Sequence, residues 1–172
     1  MMQSNNRKQF TKHCLAVALI ELLEKKEYSS ISIQDIVDKA GFSRMGYYRN
    51  FNTIDEVLDY YLTEVSEDFI NSSGVFAEGV EIDKIIGALF NHLCSDRIKN
   101  LFLLLVKRHL QSHFYRQFAK RFKNVLYENA ENSYVYSFYG SGYFGVYVNW
   151  VANGCKETPE ELTAIVLNII KK

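Results

Sequence analysis

A chain of 172 residues with 20 basic and 20 acidic side chains carries no net charge, which argues against a histone-like protein that coats nucleic acid wholesale. Its three cysteines, Cys14, Cys94 and Cys155, are odd in number and widely spaced, so neither a disulfide framework nor a C-x-x-C zinc site can be drawn, and a reduced cytoplasmic setting is expected. The longest apolar run, Leu101 to Val106, is too short to cross a bilayer, and MMQSNNRKQF has no apolar stretch behind its charges, so neither membrane anchorage nor export is expected.

Helical spacing dominates, with proline only at Pro159, and predicts an all-α chain of about nine helices. From Arg7 to Lys26 the residues Phe10, Cys14, Val17, Ala18, Ile20, Leu22 and Leu23 form one broad apolar stripe, ending near a polar turn at 27–30. Ser32 then opens SIQDIVDKAG as an N-cap, with Asp35 reaching back, and Gly41 supplies a left-handed terminator. Ser43 caps a third helix, RMGYYRNF, in which Tyr47 and Phe51 share a face. Asn52 or Thr53 caps a fourth, whose stripe is Ile54, Val57, Leu58, Tyr61, Leu62, Val65 and Phe69. The small, polar segment NSSGVFAEG at 71–79 is the best break in the chain. Helical runs follow near 82–94, 97–109, 111–130 and 133–154. The last helix starts with Thr158 as N-cap, Pro159 in the first position and Glu161 closing a capping box.

A helix-turn-helix needs a sharply stopped helix, a turn that glycine enters easily, and a second helix whose start reaches base edges. Residues 32–51 meet all three needs, and Arg44, Met45, Gly46, Tyr48, Arg49 and Asn50 suit phosphate and base contact better than burial. The domain reading is a DNA-binding head at 1–52 and a helical regulatory and dimerisation body at 53–172, with 53–72 as linker.

The run S-I-Q-D-I-V-D-K-A-G-F-S-x-x-x-Y-Y-x-x-F, followed by I-D-E-V-L, resembles the head of the TetR family of bacterial transcription regulators over roughly residues 8–65. The resemblance implies a homodimer that binds a double-stranded DNA operator through the head and a small-molecule inducer through the body, most simply as a repressor, with no cofactor. It puts Ser32 and Ser43 near phosphates, Gln34, Arg44 and Met45 near bases, and Tyr48 at a phosphate-binding tyrosine, while Tyr47 and Phe51 hold the reading helix in place. With Gly46 and Asn50 these complete the candidate DNA-facing set. Three positions depart from the pattern: Gly46 replaces a common threonine, Asn50 a histidine or tyrosine, and Ile54 the lysine that meets a phosphate. Arg7, Lys8 and Lys12 are candidates to compensate.

YGSGYFGVYVNWVANGCKETPEEL resembles the short regulatory domains of one branch of that family through Trp150, Gly154 and Pro159 to Glu161. Some members of that branch activate through a protein partner, so a partner-dependent coactivator with weak DNA binding of its own is the alternative function. Ser137, Ser141, Gly145 and Asn149 recur every four residues and are candidates for the dimer contact, with Tyr136, Tyr139, Tyr143, Tyr147 and Trp150 broadly opposite. The competing reading is that Gly140 and Gly142 break this helix. Phe90, Phe102, Val106, His109, Tyr139 and Tyr143 are candidates for an inducer pocket, or else ordinary core.

Residues 55–96 hold ten acids against Lys84 alone, and 97–123 hold eight bases and no acid. Either two helical layers have complementary charged faces, or some of the bases, with His109 and His113, turn inward toward an acidic ligand. The row HLQSH has metal-ligand spacing but no carboxylate between its histidines, and no nucleophile motif or phosphate loop occurs, so neither a catalytic nor a metal site is assigned.

Overall fold

Side-chain caps at Ser32, Ser43, Thr53 and Thr158 set the starts of four helices. The computed structural model describes residues 2–74, 80–126 and 133–170, with side chains omitted at 2–5, 121–126, 133, 135 and 136. Residues 75–79 of the predicted break, 127–130 of the seventh predicted helix and the side chain of Tyr136 lie outside that description. Among the described residues the chain is all-helical: α1 (Met2–Leu23), a 3₁₀ turn (Tyr28–Ser30), α2 (Ile33–Ala40), α3 (Arg44–Tyr48), α4 (Ile54–Ser73), α5 (Ile82–Leu93), α6 (Asp96–Lys107), α7 (Gln111–Leu126), α8 (Ser133–Ala152) and α9 (Pro159–Ile170). None of the described helices is long and apolar enough to cross a membrane.

The α2 capping box is complete. Ser32 Oγ accepts from the Asp35 N–H at 3.1 Å, and Asp35 Oδ2 accepts from the Ser32 N–H at 2.9 Å. The helix stops at Gly41, whose φ of 74° is the left-handed geometry that glycine enters without strain. Thr53 caps α4 by accepting from the Glu56 N–H at 3.2 Å. The same reciprocal pair recurs at α9, between Thr158 and Glu161.

α3 differs from the sequence expectation in its length. α3 ends at Tyr48 rather than Phe51, because the Asn50 side-chain amide donates to the Gly46 carbonyl at 2.7 Å. The Asn50 backbone N–H turns instead to Tyr47 O at 2.8 Å, a tighter last turn. α8 runs unbroken through Gly140 and Gly142, which overturns the reading of those glycines as a helix break.

One continuous core joins the two halves. α4 packs against α1 and α7, burying Val57, Leu58, Leu62 and Val65; α5 pairs with α9, and α7 with α8. In the body, the Tyr147 ring lies 5.0 Å from Phe102, 6.1 Å from Phe114 and 5.9 Å from Trp150, centroid to centroid. Its buried hydroxyl has no hydrogen-bond partner among the described residues, so ring packing rather than a polar contact fixes it there.

Candidate nucleic-acid interface and regulatory cavity

The base of the helix-turn-helix is aromatic. Tyr47 and Phe51 are buried with centroids 6.1 Å apart, Phe51 meets Tyr60 of α4 edge-on at 5.6 Å, and Lys12 of α1 sits over Phe51 and Tyr60 at 5.1 and 4.9 Å. Burial pushes the Tyr47 hydroxyl up to about 12, with the Glu56 carboxylate adding to it. On the far side of this base Met45 is 63% and Tyr48 51% exposed, and Arg44 and Arg49 are exposed beside them. Ser43, also exposed, caps α3 by accepting from the Gly46 N–H at 3.1 Å.

The remaining candidates fall into place unevenly. Ser32 and Gln34 are exposed, with Gln34 Nε2 donating to Asp38 at 2.7 Å along α2. Asp35 is held well below the usual carboxylate range, first by Lys26 at 2.5 Å and then by the Ser32 hydroxyl at 2.6 Å. Gly46 and Asn50 are partly buried, and the Asn50 amide is spent on the Gly46 carbonyl rather than turned outward. Ile54 packs against the core and brings no cation to the start of α4. Lys12 is committed to its two rings, which leaves Arg7 and Lys8 as the exposed bases of α1.

Sequence reasoning missed the joint between head and body. Arg108, buried at the end of α6, donates from Nε to the Leu23 carbonyl at 2.6 Å and from Nη2 to Glu24 O at 3.3 Å, and pairs with the Glu27 carboxylate. These carbonyls close α1, where a helix leaves acceptors unpaired and carries partial negative charge. One turn later His113, also buried, places Nδ1 2.7 Å from Asp59 of α4, and Arg116 donates to the same carboxylate at 3.2 Å. The acid-rich and base-rich stretches therefore meet as complementary faces here. His109 and His113 do not share a helix face, since His109 stands exposed in the α6–α7 turn with φ 59°.

A cavity of about 60 Å³ lies in the body between α4 (Leu62, Val65, Phe69), α5 (Ile85, Leu89, His92) and α7 (Phe114, Gln117, Phe118). His92 stacks on Phe69 with centroids 4.2 Å apart. Burial, and secondarily the charge of Arg97, lowers its imidazole to about 4. None of the six residues proposed from sequence as pocket lining borders this cavity. Phe90, Phe102 and Tyr143 are buried in the core, Tyr139 is partly buried, and Val106 and His109 are exposed. The lone histidine on the apolar stripe of α5, after Ile85 and Leu89, was the signal available in sequence.

Ser137, Ser141, Gly145 and Asn149 are all exposed on α8, and Ser141 Oγ lies 2.8 Å from the Tyr115 hydroxyl of α7. Phe138 is exposed on the same helix, and Ile165 and Ile169 are exposed on α9. Tyr143, Tyr147 and Trp150 are buried on the opposite side. A family model described as a transcriptional regulator C-terminal region matches residues 86–172, half of the chain. No curated protein matches it.

Two outcomes follow from this geometry. Arg108→Met keeps the aliphatic stem but removes the guanidinium, and is expected to cost roughly 2–3 kcal/mol in urea unfolding. Arg108→Lys should recover less than half of that, because an ammonium cannot span two carbonyls and a carboxylate. A loss below about 0.5 kcal/mol for the methionine variant would refute the joint. For His92 the folded chain resists protonation down to about 4, while the unfolded chain takes up the proton near its ordinary value of 6.5. Stability from this residue is therefore intact above about pH 6.5 and falls as pH drops toward 4, by up to ~2 kcal/mol after allowance for its partial exposure. Equilibrium unfolding across that range should show this slope in the unmodified chain and not in His92→Phe; parallel pH profiles would exclude it.

Proposed function

Because the chain belongs to the TetR family of transcription regulators, which are not enzymes, we propose that it is a sequence-specific DNA-binding regulator, a homodimer released from its operator by a small apolar molecule. The observation that carries the DNA half of this reading is the outward presentation of Arg44, Met45 and Tyr48 from a five-residue helix capped by Ser43 and seated on Tyr47 and Phe51. A reading helix must be held still before its side chains can choose among base edges. Arg44 then suits guanine and Tyr48 a phosphate. Ser32, Gln34 and Ser43 border the same surface.

The dimer half rests on α8 and α9. The strip Ser137, Ser141, Gly145, Asn149 is flanked by exposed apolar side chains, and a Cβ added at Gly145 would meet nothing within 4 Å. The subunit itself thus has no steric need for glycine there, whereas a second helix approaching closely does. Two copies joined through α8 and α9 would present two reading heads to half-sites on one face of the duplex.

Release is read from the cavity. At about 60 Å³ it is smaller than the ~150 Å³ void that admits benzene. A ligand enters only by moving a wall, and one wall is Val65 and Phe69 of the helix that carries the head. A ligand that prefers the displaced arrangement then lowers the fraction of dimers whose heads match successive grooves.

A second reading has its own support. Ile54 offers no cation and Lys12 is held on two rings, so phosphate contacts are fewer than the head has room for. That favours a coactivator whose DNA binding depends on a protein partner.

Fluorescence anisotropy of the full chain against fragments of its own upstream DNA at two salt concentrations separates the two. Tight, salt-sensitive binding is expected, with at least a tenfold loss in the Arg44→Ala, Tyr48→Phe double variant. Equal weak binding of all fragments by both proteins would shift the assignment to the partner-dependent coactivator. For the interface, Gly145→Leu is expected to weaken the dimer at least tenfold by sedimentation velocity with helicity unchanged. An unaltered dimer would exclude α8 from the contact.

A further inference from the structure

The chemistry of the cavity lining narrows what can occupy it, an inference that rests on the ligand-released reading above. No lysine, arginine, aspartate or glutamate lines the cavity; its polar side chains are Ser66, His92 and Gln117. Ser66 donates its proton to the Leu62 carbonyl at 2.8 Å within α4. Gln117 is 92% buried, by its 8% residual exposure, and one end of its amide meets the Thr63 hydroxyl at 3.2 Å. Thr63 has a single proton and also lies 2.8 Å from the Asp59 carbonyl, so the Gln117 amide can be held in either orientation. In both, the other end of the amide has no protein partner among the described residues, in a side chain that borders the cavity. His92 brings an imidazole that burial keeps neutral at ordinary pH, with one donor and one acceptor nitrogen.

We propose that this cavity selects uncharged, largely hydrocarbon molecules carrying a single oxygen function, with the Gln117 amide as the polar anchor. A hydroxyl can both donate and accept, so it satisfies either amide orientation. A carboxylate entering the same space meets no cation in the lining, where Arg97 acts on His92 without bordering the cavity, and it loses its hydration. A pure hydrocarbon of the same shape leaves the buried amide unpaired, which is the kind of discrimination a hydrogen-bonding site enforces. Because Gln117 touches Thr63, the anchor joins the ligand to α4, the same helix that must yield for the ligand to enter.

Three probes of similar size test this on the full chain: 1-phenylethanol, ethylbenzene and benzoate, titrated at pH 7.5 while the Gln117 and His92 side-chain resonances are followed by NMR. The alcohol is expected to bind at least fivefold tighter than ethylbenzene and at least tenfold tighter than benzoate. In Gln117→Leu the preference for alcohol over hydrocarbon should fall to within twofold. The comparison among probes on the unmodified chain stands without that variant. Benzoate binding as well as the alcohol, or an undiminished alcohol preference in Gln117→Leu, would overturn the selectivity and leave the cavity reading standing. If none of the probes shifts those resonances, the cavity reading itself fails and the selectivity with it.

Discussion

A buried guanidinium completing the end of a helix is the contact on which the relation of head to body depends. The last carbonyls of α1 have no partner within the helix, and Arg108, more than eighty residues further along, takes two of them while pairing with Glu27. Neither side can leave without cost: the carbonyls would lose charge-assisted bonds, and the cation would lose its anion in a site with little water. The α6–α7 turn is shaped around this need, with His109 accepting the left-handed conformation between two buried neighbours, Arg108 and Leu110. For a residue other than glycine that conformation costs of order 1 kcal/mol, which the surrounding packing offsets.

α4 is the second half of the same constraint. Its first two turns complete the core of the head and its later turns form part of the core of the body, so a single helix belongs to both. Asp59 marks the crossing: on one carboxylate it gathers His113 and Arg116 of α7. Further along, the Tyr60 hydroxyl donates to Glu64 at 2.8 Å and His13 Nδ1 of α1 lies 2.9 Å from the same carboxylate. The head is thus tied to α4 from one side and to α6–α7 from the other.

Features that depend on a few neighbouring residues were legible in the sequence. The Ser32 and Thr158 caps, the Gly41 terminator and the Tyr47–Phe51 pair are each a short motif with one physical outcome. The shorter α3 was not legible, because the competition between the Asn50 amide and backbone for Gly46 O has no periodic signature. Arg108 was equally hidden: its partners are eighty-odd residues away, and a base at the end of a helix looks the same whether it faces water or another helix. The pocket candidates drawn from sequence do not border the cavity, for a related reason. Aromatic positions such as Phe90 and Phe102 mark where the core is densest, whereas a cavity forms where large side chains fail to meet, and that depends on how three helices are spaced.

These constraints set the scale of any switch. Allosteric coupling is typically about 1–3 kcal/mol, and one charge-assisted hydrogen bond contributes roughly 1.5–3 kcal/mol. On the proposed reading, a ligand that parts α4 from α5 and α7 therefore has the leverage to disturb one such contact, not to dismantle the whole joint. Gln117 and His113 lie on the same helix four residues apart, the first bordering the cavity and the second bound to Asp59. On that same reading, an opening of the cavity would be felt first at the His113–Asp59 pair, one turn from the proposed ligand. Arg108, held by two carbonyls and Glu27, is the better anchored of the two ties. The motion most compatible with both is a tilt of α4 and the head about the Arg108 contact. In the proposed dimer, such a tilt would change the separation of the two reading helices while leaving each head folded.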